Sequence, residues 1–197
     1  FDEHALPTAE QLRKAASLPV LSHDGKCHRF GDLWEGSRTI VIFIRHFRCP
    51  ACQDYVRSIV TDADVDILDK AGIKIVLIGM GSPSLIRPYA KLLRSRIPLY
   101  TDPTLAIHRA LGMTLRTTDA GPEHARGDYI AHGVVGGIAR MLSSALPGKM
   151  SFRHKSGDVT QLGGEFVLGP GLRSTFAHRM TNTRSHCSIL RVVSAAG

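Results

Sequence analysis

Two cysteines separated by two residues, Cys49 and Cys52, are the side chains in this sequence best suited to chemistry. A Cys-x-x-Cys pair can cycle between a dithiol and a disulfide, and its reactivity depends on how far the pKa of one thiol is lowered. Positive charge precedes the pair at Arg45, His46 and Arg48. The sequence therefore predicts a redox-active dithiol in a basic setting.

The neighbouring residues predict a strand and a helix that hold this pair. The apolar, β-branched run 40–44 is typical of a buried strand. After it, one apolar helix face is indicated by residues with helical spacing: Cys52, Tyr55, Val56, Ile59 and Val60. Pro50 suits the first helical position. Cys49 is then expected at the helix N-terminus, where unpaired N–H groups and the helix dipole favour a thiolate.

This placement gives the two thiols different roles. We predict that Cys49 is the exposed nucleophile, and that Cys52, one turn into the helix on its buried side, is the shielded resolving thiol. The alternatives are a structural zinc half-site and two inert core cysteines. Zinc sites usually show a second Cys or His pair at comparable spacing, whereas Cys27 and Cys187 stand alone. Spacing and context favour the redox interpretation.

Length and composition describe an ordinary globular protein. The 197 residues fit one domain with a substantial core, and 43% of them are hydrophobic against 21% charged. No apolar run approaches the ~20 residues that span a bilayer. The first residues lack an initiator Met and a signal-peptide pattern, so we expect a processed or trimmed chain and a cytoplasmic location.

The net charge of +8 does not by itself indicate a nucleic-acid partner. The 25 Lys and Arg residues are spread along the chain without a dense run. Aromatic residues make up only 6%, which is poor material for base stacking. We expect a basic, solvated surface that favours anionic substrates or partners, and no nucleic acid.

The remaining chain alternates predicted strands and helices. Strands are predicted for a hairpin around the Asp24-Gly25 turn (18–21 with 26–30), at 73–78, at 97–100 with Pro98 at a sheet edge or strand start, and for an antiparallel pair at 165–168 and 172–178.

Helical segments are predicted at 8–16, 31–34 (packing Trp34), 82–94 with Pro88 as a kink or late start, 102–111, 129–146 as a core helix or lid, and 184–195 with Ile189, Leu190 and Val193 inward. The strand at 40–44, its helix and the strand at 73–78 form a βαβ unit, so both strands should be parallel.

Together these elements resemble a thioredoxin-like α/β fold, with a central mixed sheet flanked by helices. We expect one domain over 1–197, with an N-terminal helical extension at 1–17, a hairpin, and a helical insertion at 113–160. The chain resembles the peroxiredoxin-like 2 family of the alkyl hydroperoxide reductase/thiol-specific antioxidant superfamily in three segments: 45–55, 81–83 and 161–167. Two further segments, 100–103 and 110–112, resemble an element of the superfamily as a whole. The similarity runs from Leu18 to the C-terminus.

The resemblance implies thiol-dependent reduction of a peroxide or endoperoxide, without a bound cofactor. By analogy Cys49 attacks the O–O bond to become a sulfenic acid, and Cys52 resolves it to a disulfide. An external thiol reductant, thioredoxin or glutathione supplied by NADPH, would restore the dithiol, and a homodimer is compatible with the family. The resemblance also matches Arg184 to the arginine that peroxiredoxins place near the thiolate.

One position departs from the peroxiredoxin pattern. His46 stands where those enzymes carry Thr or Ser, three residues before the reactive Cys, and is our candidate hydrogen-bond donor or general acid. A specialised organic peroxide or another electrophile is therefore a plausible substrate. Substrate contacts are expected from a set of neighbouring residues: Arg45, Phe47, Arg48, Pro50, Gly163 and Gly164.

Other classes of function are compatible with the same fold. The first is an enzyme of specialised metabolism that uses the pocket for non-redox chemistry, and the second is a binding module with a relic dithiol. A metal enzyme ranks last, because the ten histidines do not cluster at ligand spacing.

Overall fold

The computed structural model of the chain describes residues 1–130 and 155–197. Within these ranges seven strands are formed: β1 (Pro19–Leu21), β2 (Cys27–Arg29), β3 (Arg38–Phe43), β4 (Ile73–Gly79), β5 (Leu99–Thr101), β6 (Gly164–Leu168) and β7 (Ser174–Arg179). The α-helices of the same ranges are α1 (Ala9–Ser17), α2 (Pro50–Asp62), α3 (Val65–Lys70), α4 (Ile86–Leu93), α5 (Ala106–Ala110) and α6 (Ile189–Ala196). Short 3-10 helices lie at Phe30–Leu33, Pro83–Leu85 and Glu123–Ala125.

The strands form one mixed sheet in the order β2-β1-β5-β4-β3-β6-β7. β3 and β4 run parallel, with Ile40 opposite Ile75, which confirms the predicted βαβ unit. β6 pairs antiparallel with β3 on one side and with β7 on the other, which confirms the C-terminal hairpin. The mixed α/β sheet expected from the sequence is therefore present, and its interior strand β3 leads directly into the Cys-x-x-Cys segment.

Helices cover both faces of this sheet. Because side chains alternate along a strand, Ile40 and Ile42 of β3 join a core with α2, α4 and α6, whereas Val41 and Phe43 join a second core with α1 and α5. Trp34 is buried in the second core, as predicted. The dithiol belongs to the first core.

Local signals placed several element ends correctly. The Thr8 side chain accepts a hydrogen bond from the N–H of Gln11 at 3.2 Å, and the Gln11 side chain accepts one from the N–H of Thr8 at 2.9 Å. This reciprocal cap confirms the predicted start of α1. The expected late start of the fourth helix is also confirmed, since a 3-10 turn precedes α4 and Pro88 lies in the first turn of α4.

Other element ends differ from the prediction. Asp102 and Pro103 form a turn, and α5 begins only at Ala106, because the Asp102 carboxylate accepts a hydrogen bond from the N–H of Ile107 at 2.8 Å. β5 lies between β1 and β4 and begins directly after Pro98, so of the two predicted positions Pro98 marks the strand start and not a sheet edge. The last helix begins at Ile189 rather than at Arg184, because residues 181–185 form a turn closed by hydrogen bonds to the Ser185 hydroxyl.

Two predicted core positions are also wrong. Leu190 is 58% exposed, and Val192 takes the inward position in its place. Val60 is 40% exposed, because two turns after Cys52 its side chain has drifted off the apolar stripe of α2. The predicted helix at 129–146 falls almost wholly outside the described residues. Among the residues that are described, no helix has both the length and the apolar character needed to cross a membrane.

Candidate active site

The turn from β3 into α2 positions the two cysteines. Cys49 is the N-cap residue of α2 and Pro50 is its first helical residue, as the sequence predicted. The N–H of Cys52 donates to Sγ of Cys49 at 3.3 Å, so the sulfur takes the place of a capping oxygen. The free N–H groups of this helix end therefore point at Cys49, where they favour a thiolate.

The exposure predicted for Cys49 is wrong. Cys49 is 1% exposed and Cys52 is 0% exposed, so both thiols are enclosed. The reason is that Cys49 packs in the first core, and the loop before α2 is itself hydrogen-bonded to a segment distant in sequence, 155–157. Within it, the carbonyl of Ser156 accepts a hydrogen bond from the N–H of Phe47 at 3.1 Å, and that of Lys155 accepts one from the N–H of Ser82 at 2.8 Å.

Arg45 supplies the positive charge nearest to the Cys49 sulfur. Its Nη1 lies 3.4 Å from Sγ of Cys49, and its Nη2 donates to the carbonyl of Val159 at 2.6 Å. The arginine is itself buried, with 6% of its surface exposed. Its charge is therefore poorly screened by water and acts strongly on the thiol.

His46 lies beside the same thiol in a buried position. Its carbonyl accepts a hydrogen bond from the N–H of Cys49 at 3.0 Å, and 7% of its surface is exposed. Burial lowers the pKa of His46, so the imidazole is mainly neutral at pH 7. Its Nδ1 is buried and has no hydrogen-bond partner among the described residues.

The surroundings push the two thiols in opposite directions. A hydrogen bond from the Cys52 thiol, together with the positive charge of Arg45, holds the pKa of Cys49 well below its usual range although burial opposes this. Burial, followed by the hydrogen bond and negative charge of Cys49, raises the pKa of Cys52 well above its usual value. At neutral pH the arrangement favours a Cys49 thiolate beside a Cys52 thiol.

A buried carboxylate with two histidines adjoins Cys52 and was missed in the sequence. Oε1 of Glu165 lies 2.5 Å from Nδ1 of His186, and Oε2 lies 2.6 Å from Nδ1 of His178. Nε2 of His186 lies 3.4 Å from Sγ of Cys52. An available signal was the acidic residue at the start of a strand that is otherwise apolar, because Glu is rarely buried unless it is paired.

Two tyrosines fix the ring of His186. Tyr55 of α2 stacks on it with a centroid distance of 4.3 Å and an interplanar angle of 8°. The Tyr129 hydroxyl accepts a hydrogen bond from the N–H of His186 at 2.9 Å and donates to the carbonyl of Arg184 at 2.6 Å. The imidazole is thus held between Glu165 and Cys52.

Arg184 is not brought to the dithiol by these contacts. Its guanidinium donates to the carbonyls of Ala120 and Gly121 and to the carboxylate of Glu123, at 2.7, 2.9 and 2.9 Å respectively. It therefore anchors the loop 120–123. Its predicted catalytic role stays a prediction, while Arg45 takes the position next to the thiol.

The predicted substrate-contact residues fall into two groups. Arg48 lines an open cleft of about 820 Å³ together with Ser82, Lys155 and neighbouring residues. Phe47 is fully buried, with its ring packed against Tyr89 at a centroid distance of 5.2 Å. Gly164 is the first residue of β6, where it pairs with Phe43, and Gly163 directly precedes it.

Each of these packed residues has a structural role in addition to its predicted one. Pro50 begins α2, Phe47 fills the core, and the two glycines permit close approach of backbones. Their contacts with substrate stay predictions. No group of three or more His, Cys, Asp or Glu side chains suited to a metal ion occurs among the described residues.

Sequence comparison identifies relatives over most of the chain. A family model described as AhpC/TSA antioxidant enzyme matches residues 61–182. The chain is 32% identical to Peroxiredoxin-like 2C of Bos taurus over 182 residues, which covers 92% of this chain and 78% of the bovine protein. Identity and coverage are the same for Peroxiredoxin-like 2C of Homo sapiens.

Solved structures share the fold at low sequence identity. The bacterioferritin comigratory protein of Xanthomonas campestris is 16% identical, with a TM-score of 0.59 covering 99% of this chain and 95% of that one. Reduced Prx3 of Vibrio vulnificus, solved in complex with hydrogen peroxide, is 11% identical, with a TM-score of 0.58 covering 100% and 99%. These likenesses confirm the thioredoxin-like peroxiredoxin fold.

Proposed function

Since the chain belongs to the peroxiredoxin-like 2 family of AhpC/TSA antioxidant enzymes, we propose that it reduces a peroxide through a Cys49–Cys52 dithiol/disulfide cycle. The observation that carries the proposal is the asymmetry of the two thiols. Both thiols are enclosed, but Cys49 caps a helix N-terminus beside Arg45, which favours its thiolate, whereas burial and the neighbouring Cys49 favour the thiol form of Cys52. A nucleophile and a reserve thiol one helical turn apart are what a peroxide-reducing cycle requires.

The cycle consists of three balanced steps. The Cys49 thiolate attacks one oxygen of the substrate, the O–O bond breaks, and the leaving alkoxide takes a proton to become an alcohol. With a hydroperoxide, Cys49 is then a sulfenic acid, which condenses with the Cys52 thiol to form a disulfide and water. With an endoperoxide, Cys49 is then a sulfenate ester, from which Cys52 displaces the second oxygen of the substrate as an alcohol. Two thiols of an external reductant of the thioredoxin or glutathione type become a disulfide and restore the dithiol.

Arg45 and His46 are assigned separate tasks in the first step. Arg45 holds the Cys49 sulfur as a thiolate and stabilises charge that develops on the breaking O–O bond. His46 presents an unpaired Nδ1 close to Cys49 and acts as a hydrogen-bond donor or acceptor for the peroxide. This replaces the Thr or Ser hydroxyl that peroxiredoxins use at the corresponding position.

The cleft beside the loop before α2 indicates an organic substrate rather than hydrogen peroxide alone. Its lining includes the cations Arg48 and Lys155 and the carboxylate of Asp158, which is paired with Arg116, together with apolar Met80 and Pro83. A hydroperoxide or endoperoxide with an acidic group fits this combination of charge and apolar surface. An amphipathic organic peroxide is therefore the substrate class we favour.

The test is rapid mixing of the reduced protein with hydrogen peroxide and, separately, with an organic hydroperoxide and an endoperoxide. Mass spectrometry of quenched samples follows each thiol. We expect a fast Cys49–Cys52 disulfide in the wild type, and Cys49 sulfenic acid trapped by dimedone in Cys52→Ser.

A matched control replaces the exposed thiol, Cys27→Ser, which should leave the rate unchanged. Slow, unselective oxidation of all four cysteines would show that the dithiol is not tuned to peroxides. Turnover of an organic substrate that survives in Cys49→Ser would instead favour non-redox chemistry on this fold.

A further inference from the structure

Glu165, His186 and Cys52 form a continuous chain of contacts from a carboxylate through an imidazole to a sulfur. We propose that His186 is the general base that removes the proton of Cys52 when this thiol attacks oxidised Cys49, with Glu165 positioning His186. The proposal rests on the proposed function, since it assigns the second step of that cycle. The contacts are 2.5 Å from Oε1 to Nδ1 and 3.4 Å from Nε2 to Sγ.

The hydrogen bonds of Glu165 determine the orientation of the imidazole. Burial would raise the pKa of Glu165, but the facing His186 and His178 lower it to about 2, so the carboxylate only accepts hydrogen bonds. Oε2 accepts from His178 and from the N–H of Cys187 at 3.2 Å, which leaves Oε1 for Nδ1–H of His186. In neutral His186 the unprotonated Nε2 then faces Sγ of Cys52.

The second step needs such a base. Cys52 is fully buried and remains a thiol at neutral pH, yet only a thiolate attacks the sulfenic sulfur efficiently. No solvent path to this sulfur is open, since its exposed fraction is 0%. A fixed imidazole at hydrogen-bond distance removes the proton without requiring the site to open.

Atoms and charges balance in this step. Sγ of Cys52 forms a bond to Sγ of Cys49, the S–O bond of the sulfenic acid breaks, and the Cys52 proton passes to Nε2 of His186. The departing hydroxide takes that proton and leaves as water. The Cys52 sulfur is oxidised and the sulfenic sulfur of Cys49 is reduced, both to the disulfide level, and the imidazole returns to its neutral form with Nδ1–H still bound to Glu165.

Stacking and burial make the imidazole suitable for repeated proton transfer. Tyr55 and Tyr129 hold the ring of His186. On the other side of Glu165, His178 contacts its carboxylate, and Nε2 of His178 lies 3.2 Å from the carboxylate of Glu3. Glu165 and His186 are both at most 4% exposed. A carboxylate so deeply buried carries a desolvation cost that an apolar side chain of equal volume would avoid, which favours a functional reason for it.

The first arm of the experiment separates the two steps of the cycle. Reduced wild type and His186→Gln, both carrying Cys27→Ser, are mixed with excess organic hydroperoxide, quenched with dimedone and analysed by mass spectrometry. We expect Cys49 sulfenic acid to form at the same rate in both proteins. In His186→Gln the disulfide should form about 100-fold more slowly, so sulfenic acid accumulates.

A matched control uses the second histidine on the same carboxylate. His178→Gln removes an equal hydrogen bond to Glu165 without touching Cys52, and should slow disulfide formation far less than His186→Gln. Equal effects of the two substitutions would overturn the proposal. Glu165→Gln should reproduce the step-specific accumulation of sulfenic acid, because it acts through His186.

The second arm does not depend on peroxide chemistry. Cys49 is converted to its mixed disulfide with 5-thio-2-nitrobenzoate, and attack by Cys52 releases the coloured thiolate while its proton goes to His186. Release should be about 100-fold slower in His186→Gln, and an equal rate in both proteins would overturn the proposal. If wild type forms no sulfenic acid in the first arm, the proposed function fails, whereas this arm still decides the role of His186.

The pH profile of this release distinguishes proton transfer from a structural effect. Without the base, Cys52 must ionise on its own, so the rate in His186→Gln should rise about tenfold per pH unit between about pH 7 and 9. The wild-type rate should be nearly flat, and parallel profiles would contradict general-base catalysis. Other titratable groups facing this pair, which both proteins share, are Cys49, Arg45, Tyr89, Tyr55, Tyr129 and Glu165.

Discussion

Nη1 of Arg45 lies 3.4 Å from Sγ of Cys49. A residue of the turn between β3 and α2 therefore places a positive charge next to the dithiol. Arg184, which the family resemblance matched to this task, binds the loop 120–123. Because Arg45 and Cys49 are four residues apart around one tight turn, strand and helix together fix their distance. The thiolate is thus stabilised by its own segment of chain.

The contrast between the two arginines can be measured directly. Arg45→Met should raise the pKa of Cys49 by about one pH unit or more, because a buried positive charge next to the thiolate is lost. The pH dependence of Cys49 alkylation by iodoacetamide, followed by mass spectrometry, reports this pKa. Arg184→Met should have a smaller effect, and an effect equal to that of Arg45→Met would support Arg184 as the active-site arginine.

Glu165 should make stability depend on acid pH. Its pKa is lowered from 4.5 to about 2 in the folded protein, so its stabilisation is present above pH 4.5 and lost as the pH falls toward 2. The difference corresponds to about 3 kcal/mol of unfolding free energy. Glu165→Gln should therefore be destabilised at pH 7 and approach wild type at pH 3.

Urea unfolding at the two pH values measures this difference. Glu10→Gln, which removes an exposed carboxylate of α1, is the control and should change little at either pH. If the unfolding free energies of wild type and Glu165→Gln differed by the same amount at pH 7 and pH 3, the charge-based account would be contradicted. The lost stability would then be due to packing alone.

A substitution at Gly163 can distinguish a role of this residue in packing from its predicted contact with substrate. A Cβ added at Gly163 would lie 1.8 Å from the carbonyl oxygen of Phe43, so Gly163→Ala should lower the unfolding free energy by about 3 kcal/mol. Gly36→Ala is the matched control, because no atom lies within 4 Å of an added Cβ there. Thermal unfolding compares the two. If Gly163→Ala kept full stability and lost only activity, the predicted substrate contact would be supported instead.

The four thiols should differ widely in reactivity toward iodoacetamide. Cys27 is exposed and should react at the rate of a free thiol. Cys187 is 6% exposed, and burial raises its pKa to about 11, so it should be protected until the protein unfolds. Peptide mass spectrometry at neutral pH, with a urea-denatured sample as the fully labelled reference, measures both. Equal labelling of Cys27 and Cys187 in the native protein would contradict this packing.

Helix ends, turns and the placement of Cys49 could be predicted from the sequence, because they depend on residues that are neighbours along the chain. The apolar run in β3, Pro50 at the start of α2 and the spacing of the two cysteines were sufficient to place Cys49 at a helix N-terminus. Capping by Thr8 and the Asp24-Gly25 turn likewise defined α1 and the first hairpin. Such features are set by backbone dihedrals, hydrogen bonds and periodicity within one or two turns, which a sequence displays directly.

The residues that surround the dithiol could not be predicted from the sequence and became known from the folded structure. His186 reaches Cys52 across 134 positions of sequence, because β6 pairs with β3 and carries Glu165 to the back of the site. Cys49 is likewise buried by the packing of the first core, and segment 155–157 is hydrogen-bonded to the loop before α2 only in the folded chain. Contacts between such distant segments depend on how whole elements pack, and no local pattern of residue types encodes that packing.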